Sequence, residues 1–311
     1  MKEVKVFAPA TVANVACGFD ILGFAIEKPG DEVVARFANR KGLAITQITG
    51  TQGKKLPFEV EKNTAGYAAL QLLKYLGEEN KGIELEIHKK MPFGSGLGSS
   101  AASSVGGVMA VNELLDCPLT KSEILRFAVE GEEIADGAFH ADNVAPSLFG
   151  GITLIRNNKD LDVHALPVPN NLYAIVVHPK IEILTKDARA VLSEKVSLKK
   201  CIEQSGNLGG LIVGLYNADM ELISRSLEDV IIEPQRAVLI PQFQKVKSSA
   251  MNAGALGCSI SGAGPSIFAL CDNFSNVERI GIAMQKVFSD NKIQSECFSS
   301  PINQKGAIRL S

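Results

Sequence analysis

The residues with most chemical content in this 311-residue chain lie in MPFGSGLGSSAASS, Met91 to Ser104. Gly94, Gly96 and Gly98 can take positive φ and let backbone come close to a ligand. Ser99 and Ser100 follow at the expected start of a helix. Free N–H groups and the positive end of the helix dipole attract an anion there. Just upstream, GIELEIHKK alternates Ile83, Leu85 and Ile87, the pattern of a half-buried strand. Strand, glycine loop and helix make either a phosphate cradle or a plain tight turn. It is not a Walker loop, because no lysine stands before the serines. It is not a dinucleotide loop either, because Gly98 falls one residue early for G-x-G-x-x-G.

Several elements must position that loop. VKVFAPA and the stretch from Asp31 to Phe37 read as strands. Ala68, Leu72 and Leu76 recur at helical spacing behind Asn63 and Thr64, both good caps. The helix SSAASSVGGVMAVNELL is rich in small residues, which costs propensity at Gly106 and Gly107 and gains close approach to a neighbour. KSEILRFAVEGEEIADG is a second helix, and ITLIR a strand after Gly150-Gly151. From about Asn170 the order becomes strand LYAIVVHP, a long helical region over 186–252, two strands around 255–260 and in PSIFALC, a helix NVERIGIAMQKVF and a strand IQSECFS. That order is a ferredoxin-like split βαβ unit. LPVPNN supplies the boundary, so the domains are expected to be 1–168 and 169–311.

Composition removes several classes. A formal charge of −2 gives no basic footprint for nucleic acid, and 6% aromatics without tryptophan argue against a stacking-based binder. No apolar run approaches the ~20 residues of a membrane helix. The start, MKEVKVFAPA, has no signal core. Six scattered cysteines without a CxxC pair read as the reduced thiols of a cytoplasmic protein.

PFGSGLGSSAAS resembles the P-x-x-x-G-L-G-S-S-A-A signature of the GHMP small-molecule kinases. PATVANVACGFDILG (Pro9 to Gly23) is similar to the first motif of the homoserine kinases in that superfamily, and GCSISGAGPSIFAL (Gly257 to Leu270) to the superfamily's third motif. EGEEIADGAFHADNVAPSLFGG (Glu130 to Gly151) is similar to the homoserine kinase segment ending H-x-D-N-V-A-P. The resemblance implies an α+β, two-domain fold: an N-terminal domain related to ribosomal protein S5 domain 2 and a ferredoxin-like C-terminal domain. It also implies ATP-dependent phosphorylation of L-homoserine at its side-chain hydroxyl, in threonine biosynthesis, by a homodimer. A galactokinase would carry G-E-H-x-D near its start, and none occurs. A mevalonate kinase's acceptor has no ammonium to recognise.

The resemblance assigns roles. ATP would lie along Pro92, Phe93, Gly94, Ser95, Gly96, Leu97, Gly98, Ser99, Ser100, Ala101 and Ala102, with Gly262 and Gly264 in a second turn. Asn63 would join the adenine pocket, although it is equally an ordinary cap. Ser100 and Glu132 would hold Mg²⁺, a cation suited to one or two protein oxygens plus phosphate and water. Homoserine carries an ammonium, a carboxylate and a hydroxyl, which call for an acid, one or two arginines and a polar group. Asn14 and Asp20, His140 and Asn143, and Thr185, Arg189 and Arg236 fill those places. Asp142 is a general base if one exists. Otherwise Asn143 orients the hydroxyl and the γ-phosphate takes the proton, which a loose transition state allows. Cys17 and Ala16 stand where many relatives carry Pro and Gly, which predicts a looser turn before Phe19-Asp20.

Overall fold

In chain order the first half forms β1 (Glu3–Ala13), β2 (Leu22–Phe37), β3 (Leu43–Thr49), α1 (Thr64–Tyr75), β4 (Ile83–His88), α2 (Ser99–Leu114), α3 (Lys121–Asp136), α4 (Val144–Phe149), β5 (Ile152–Asn157) and β6 (Asp162–Leu166). The second half forms β7 (Tyr173–Pro179), α5 (Thr185–Ala190), α6 (Leu198–Asn217), α7 (Met220–Ser226), α8 (Glu233–Arg236), α9 (Phe243–Asn252), β8 (Gly257–Ile260), β9 (Ile267–Cys271), α10 (Phe274–Asp290), β10 (Ser295–Pro301) and β11 (Ile308–Arg309). This computed structural model describes residues 2–51, 53 and 55–311, with all their side chains except those of Asp136 and Thr185.

Among the described residues the first sheet runs β11-β1-β2-β4-β3. β2 is long enough to serve two partners: Leu22–Phe24 pair with β5, and Glu32–Phe37 pair with β4. The alternation of Ile83, Leu85 and Ile87 puts those three side chains in the core. Behind the sheet α2 is buried around most of its circumference, which its small residues permit. At Gly107 a Cβ would stand 2.3 Å from the carbonyl oxygen of Ala65, so only glycine lets α2 come this close to α1.

The second sheet has the order β10-β7-β9-β8, with every neighbour antiparallel. With α10 between β9 and β10, this is the split βαβ arrangement. The expected helical region over 186–252 is instead broken into α5 to α9. Ala218 takes a left-handed conformation (φ 52°) and ends α6, and Asp219 caps α7 through a 2.9 Å bond from Leu222 N–H. The Asp229 carboxylate then accepts from the N–H groups of Ile231, Ile232 and Glu233, turning the chain into α8. The two sheets separate along the chain between β6 and β7. Residues 308–309 nevertheless return to pair with β1, across the expected division at 168/169.

Of the two buried hydrophobic clusters, the larger joins the halves and the smaller lies within the second. Phe24 of β2 and Phe268 of β9 meet edge to face with ring centroids 5.8 Å apart, both fully buried. Phe268→Ala is expected to cost about 3–5 kcal/mol of unfolding free energy. In urea denaturation the whole transition should move, because the shared core makes the halves unfold together.

Candidate active site

The glycine loop forms one wall of a cleft between the two sheets. Gly94, Gly96 and Gly98 have φ of 58°, 74° and 66°. Gly98 is also the cap of α2, and among the described residues no side chain caps the helix's first N–H groups. Those groups are therefore donors available to a ligand. The hydroxyls of Ser95 and Ser99 are buried without a hydrogen-bond partner among the described residues, so the wall is polar as well as concave. The loop is gripped from outside. Thr11 N–H donates to Leu97 O at 3.0 Å, Ser266 N–H to Ser95 O at 3.1 Å, and Ser261 Oγ to Gly96 O at 2.6 Å. Phe93, Ser95, Gly96, Ser99 and Ser100 line the cleft, and Gly262 and Gly264 face them from the β8–β9 turn. Leu97, Ala101 and Ala102 are fully buried beneath it and Pro92 is buried as well, so these four support the loop and do not line the cleft.

Opposite α2, α3 brings Glu132 to Ser100, whose Oγ donates to Oε1 at 2.7 Å. Glu132 is 5% exposed and shares the cleft wall. A hydroxyl and a carboxylate beside a phosphate cradle are the hard oxygen donors that magnesium favours, so the residues present fit that ion. Burial raises the carboxyl of the neighbouring Glu130, which does not line the cleft.

The other end of the cleft is built from the first motif. After β1, Asn14, Val15 and Ala16 all have positive φ, as does Asp20. Such conformations cost of order 1–3 kcal/mol each and persist where surroundings impose them. The turn is not loose. Gly18 N–H donates to Asn14 O at 2.9 Å, and Asn14 Oδ1 accepts from Asp20 N–H at 3.0 Å. Cys17 is buried with its thiol pushed up to about 12 by desolvation, so it packs and does not react.

Asn14 Nδ2 and Arg236 Nη1 both donate to the carbonyl of Gly262, at 2.9 and 3.0 Å, tying motif, turn and α8 together. Arg236 is 3% exposed, and its Nε reaches Ala188 O. Burial draws its guanidinium below its ordinary value, which nearby Asp20 opposes. Arg189 grips Asp20 through two bonds of 3.0 and 3.2 Å. Both guanidiniums lie over the ring of Phe19.

On the cleft floor His140 Nδ1 lies 2.8 Å from Asp142 Oδ1. Asn143, just before α4, accepts at Oδ1 from Thr11 Oγ1 at 2.8 Å, which leaves its amide N–H₂ for the cleft. Asn63 lines the far end, but its side chain caps α1 through Ala65 and Gly66 N–H and donates to Pro57 O. Thr185 opens α5; its side chain lies outside the described residues. The cleft thus gathers every other expected substrate residue: Asn14, Asp20, His140, Asn143, Arg189 and Arg236.

Four residues here had no signal in the sequence. Thr11 holds the loop from β1 and Ser261 from the β8–β9 turn. Lys89 borders the cleft beside the loop but reads as the end of a strand, and Asp31 lies in another strand.

Residues 63–151 match the family described as "GHMP kinases N terminal domain", and residues 211–290 match "GHMP kinases C terminal". Fold and cleft are those of a GHMP kinase. A homoserine kinase of Chlorobium phaeobacteroides (strain BS1) is 49% identical over 99% of both chains. One of Chlorobaculum tepidum is 46% identical over all of this chain and 99% of that protein. The crystal structure of homoserine kinase from Cytophaga hutchinsonii superposes with a TM-score of 0.97 at 53% identity, covering 100% of this chain and 98% of that one. The chain belongs to the homoserine kinase family.

Gly98 gives the sharpest test of the cradle. A Cβ there would sit 2.1 Å from Thr11 Oγ1 and 2.8 Å from Asn143 Oδ1, at a φ that L-residues resist. Gly98→Ala should weaken ATP binding at least about tenfold, measured by calorimetric titration.

Proposed function

We propose that the chain transfers the γ-phosphoryl group of ATP to the side-chain hydroxyl of L-homoserine in this cleft. The product, O-phospho-L-homoserine, belongs to threonine biosynthesis. The observation that carries the reading is one cleft holding both an uncapped helix start and a carboxylate with two guanidiniums. The first suits a triphosphate and the second suits a zwitterionic amino acid.

Phosphoryl transfer needs positioning and charge neutralisation more than covalent work. The triphosphate lies along the loop, accepting from the first N–H groups of α2 and from the hydroxyls of Ser95 and Ser99. Ser100 and Glu132 hold Mg²⁺, which neutralises phosphate charge when bound. The homoserine ammonium pairs with Asp20, and its carboxylate with Arg189 and Arg236. Asp20 and Arg189 hold each other in the free protein, so the amino acid enters by replacing each partner with its own opposite charge. His140 packs against the substrate, and the Asn143 amide donates to the acceptor oxygen. Because Asn143 Oδ1 is occupied by Thr11, this residue orients the hydroxyl and does not take its proton.

Asp142 is 2% exposed and lies against His140, an arrangement suited to holding the ring. The proton therefore goes to the phosphate as transfer proceeds. The enzyme works in the cytoplasm as a homodimer. Leu198, Ile202, Val213 and Tyr216 lie exposed in one stripe along α6, and a second copy would cover that face.

ADP release should be measured with L-homoserine, D-homoserine, L-serine, L-threonine and mevalonate in parallel. L-homoserine should be strongly preferred; turnover of mevalonate alone would overturn the roles of Asp20, Arg189 and Arg236. Asp142→Asn should keep kcat within about tenfold, ~1.4 kcal/mol of barrier. A loss of about a thousandfold with KM unchanged would make Asp142 the base.

A further inference from the structure

The glycine loop contains no lysine, yet a lysine lies directly beneath it. Lys89, one residue past β4, buries its ammonium group, with the side chain 3% exposed. Nζ bonds the carboxylate of Asp31 on β2, donates to Ser99 O at 2.7 Å, and donates to Ser103 Oγ at 2.6 Å. Ser103 Oγ in turn reaches Asp31 Oδ2 at 3.1 Å. The other oxygen, Asp31 Oδ1, accepts from Lys90 N–H at 2.8 Å. One fully buried carboxylate therefore holds the chain where it enters the loop and, through Lys89 and Ser103, where it leaves as α2.

Stability alone is a poor reason for this arrangement. Burying two charges costs several kcal/mol each in desolvation, and an apolar pair of similar volume commonly serves a core as well or better. A cation beside a helix N-terminus is also opposed by the helix dipole. What the pair supplies is fixed geometry across a segment with three glycines, each with a wide choice of backbone conformations. The same Lys89, with Ser99 and Ser103, borders the cleft.

We propose that Lys89 and Asp31 are positioning residues for phosphoryl transfer: their buried pair clasps both ends of the glycine loop and presets the N–H groups that receive the triphosphate. This rests on the reading of the cleft as a nucleotide site. The clasp acts on the nucleotide end of the cleft, and the amino-acid end is held by other residues.

The test uses Mg²⁺ with a fluorescent ATP analogue for direct binding, steady-state kinetics with both substrates, and thermal unfolding. Lys89→Met should raise the nucleotide Kd and the KM for ATP at least about tenfold, while the KM for L-homoserine stays within about twofold. The double variant Lys89→Met/Asp31→Asn should bind nucleotide no worse than Lys89→Met, because no lone charge is left buried. If Lys89→Met does not fold, Ser103→Ala keeps the ion pair and removes one link to α2; its KM for ATP should rise about threefold or more. Unchanged nucleotide affinity in a folded Lys89→Met or Ser103→Ala protein overturns the clasp. Proportional rises in both KM values do so too, since they mark general loosening. Failure of the wild-type protein to bind the analogue would overturn the cleft reading itself, a different result.

Discussion

Among the described residues no side chain caps the first-turn N–H groups of α2, and the cleft is organised around that omission. An ordinary helix start would satisfy those donors with its own serine or aspartate. Here the cap residue is Gly98, and the space a side chain would fill is taken by Thr11 and Asn143. Three elements close in on this turn from different parts of the chain: the end of β1, the start of α4 and the β8–β9 turn. None would have reason to meet there if the helix were capped from within.

Two ion pairs flank that turn and differ in kind. Asp31 and Lys89 are 0% and 3% exposed, whereas Asp20 and Arg189 are 28% and 37% exposed. The inner pair is shut off from water and suits a permanent brace. The outer pair is half solvated, so its separation costs little and its charges can be offered to a substrate. The ring of Phe19 lies against both Arg189 and Arg236 and holds the two guanidiniums near each other.

Local features were readable in the sequence. The loop, α1 with its Asn63 cap, α2, α3, β4 and the split βαβ order follow from periodicity and glycine placement over a dozen residues or so. The residues proposed to bind homoserine came from motif resemblance alone, since Asp20, Arg189 and Arg236 meet only after both sheets have formed. Lys89 and Asp31 stand 58 positions apart, and a lysine at a strand end reads as solvated. β3 and β6 carry no clear alternation to mark them: both are short, and each has only one buried residue. The region 186–252 read as one helical stretch because its breaks are made by side-chain bonds from Asp219 and Asp229, not by a run of glycine or proline.

The edge position of β11 has a consequence for synthesis. Leu310 N–H bonds Lys5 O at 2.7 Å, and Lys121 Nζ reaches Leu148 O at 2.7 Å and Ala307 O at 2.9 Å, so the last elements are sewn to the first. A ribosome makes β1 before the second sheet and the strand that covers it only after that sheet is complete. Throughout that interval the nascent first half displays an open β-edge, the kind of surface that pairs with strangers. Residues 308–309 thus work as an intramolecular guard, and a chain stalled before them would leave the ribosome with that edge of β1 unprotected.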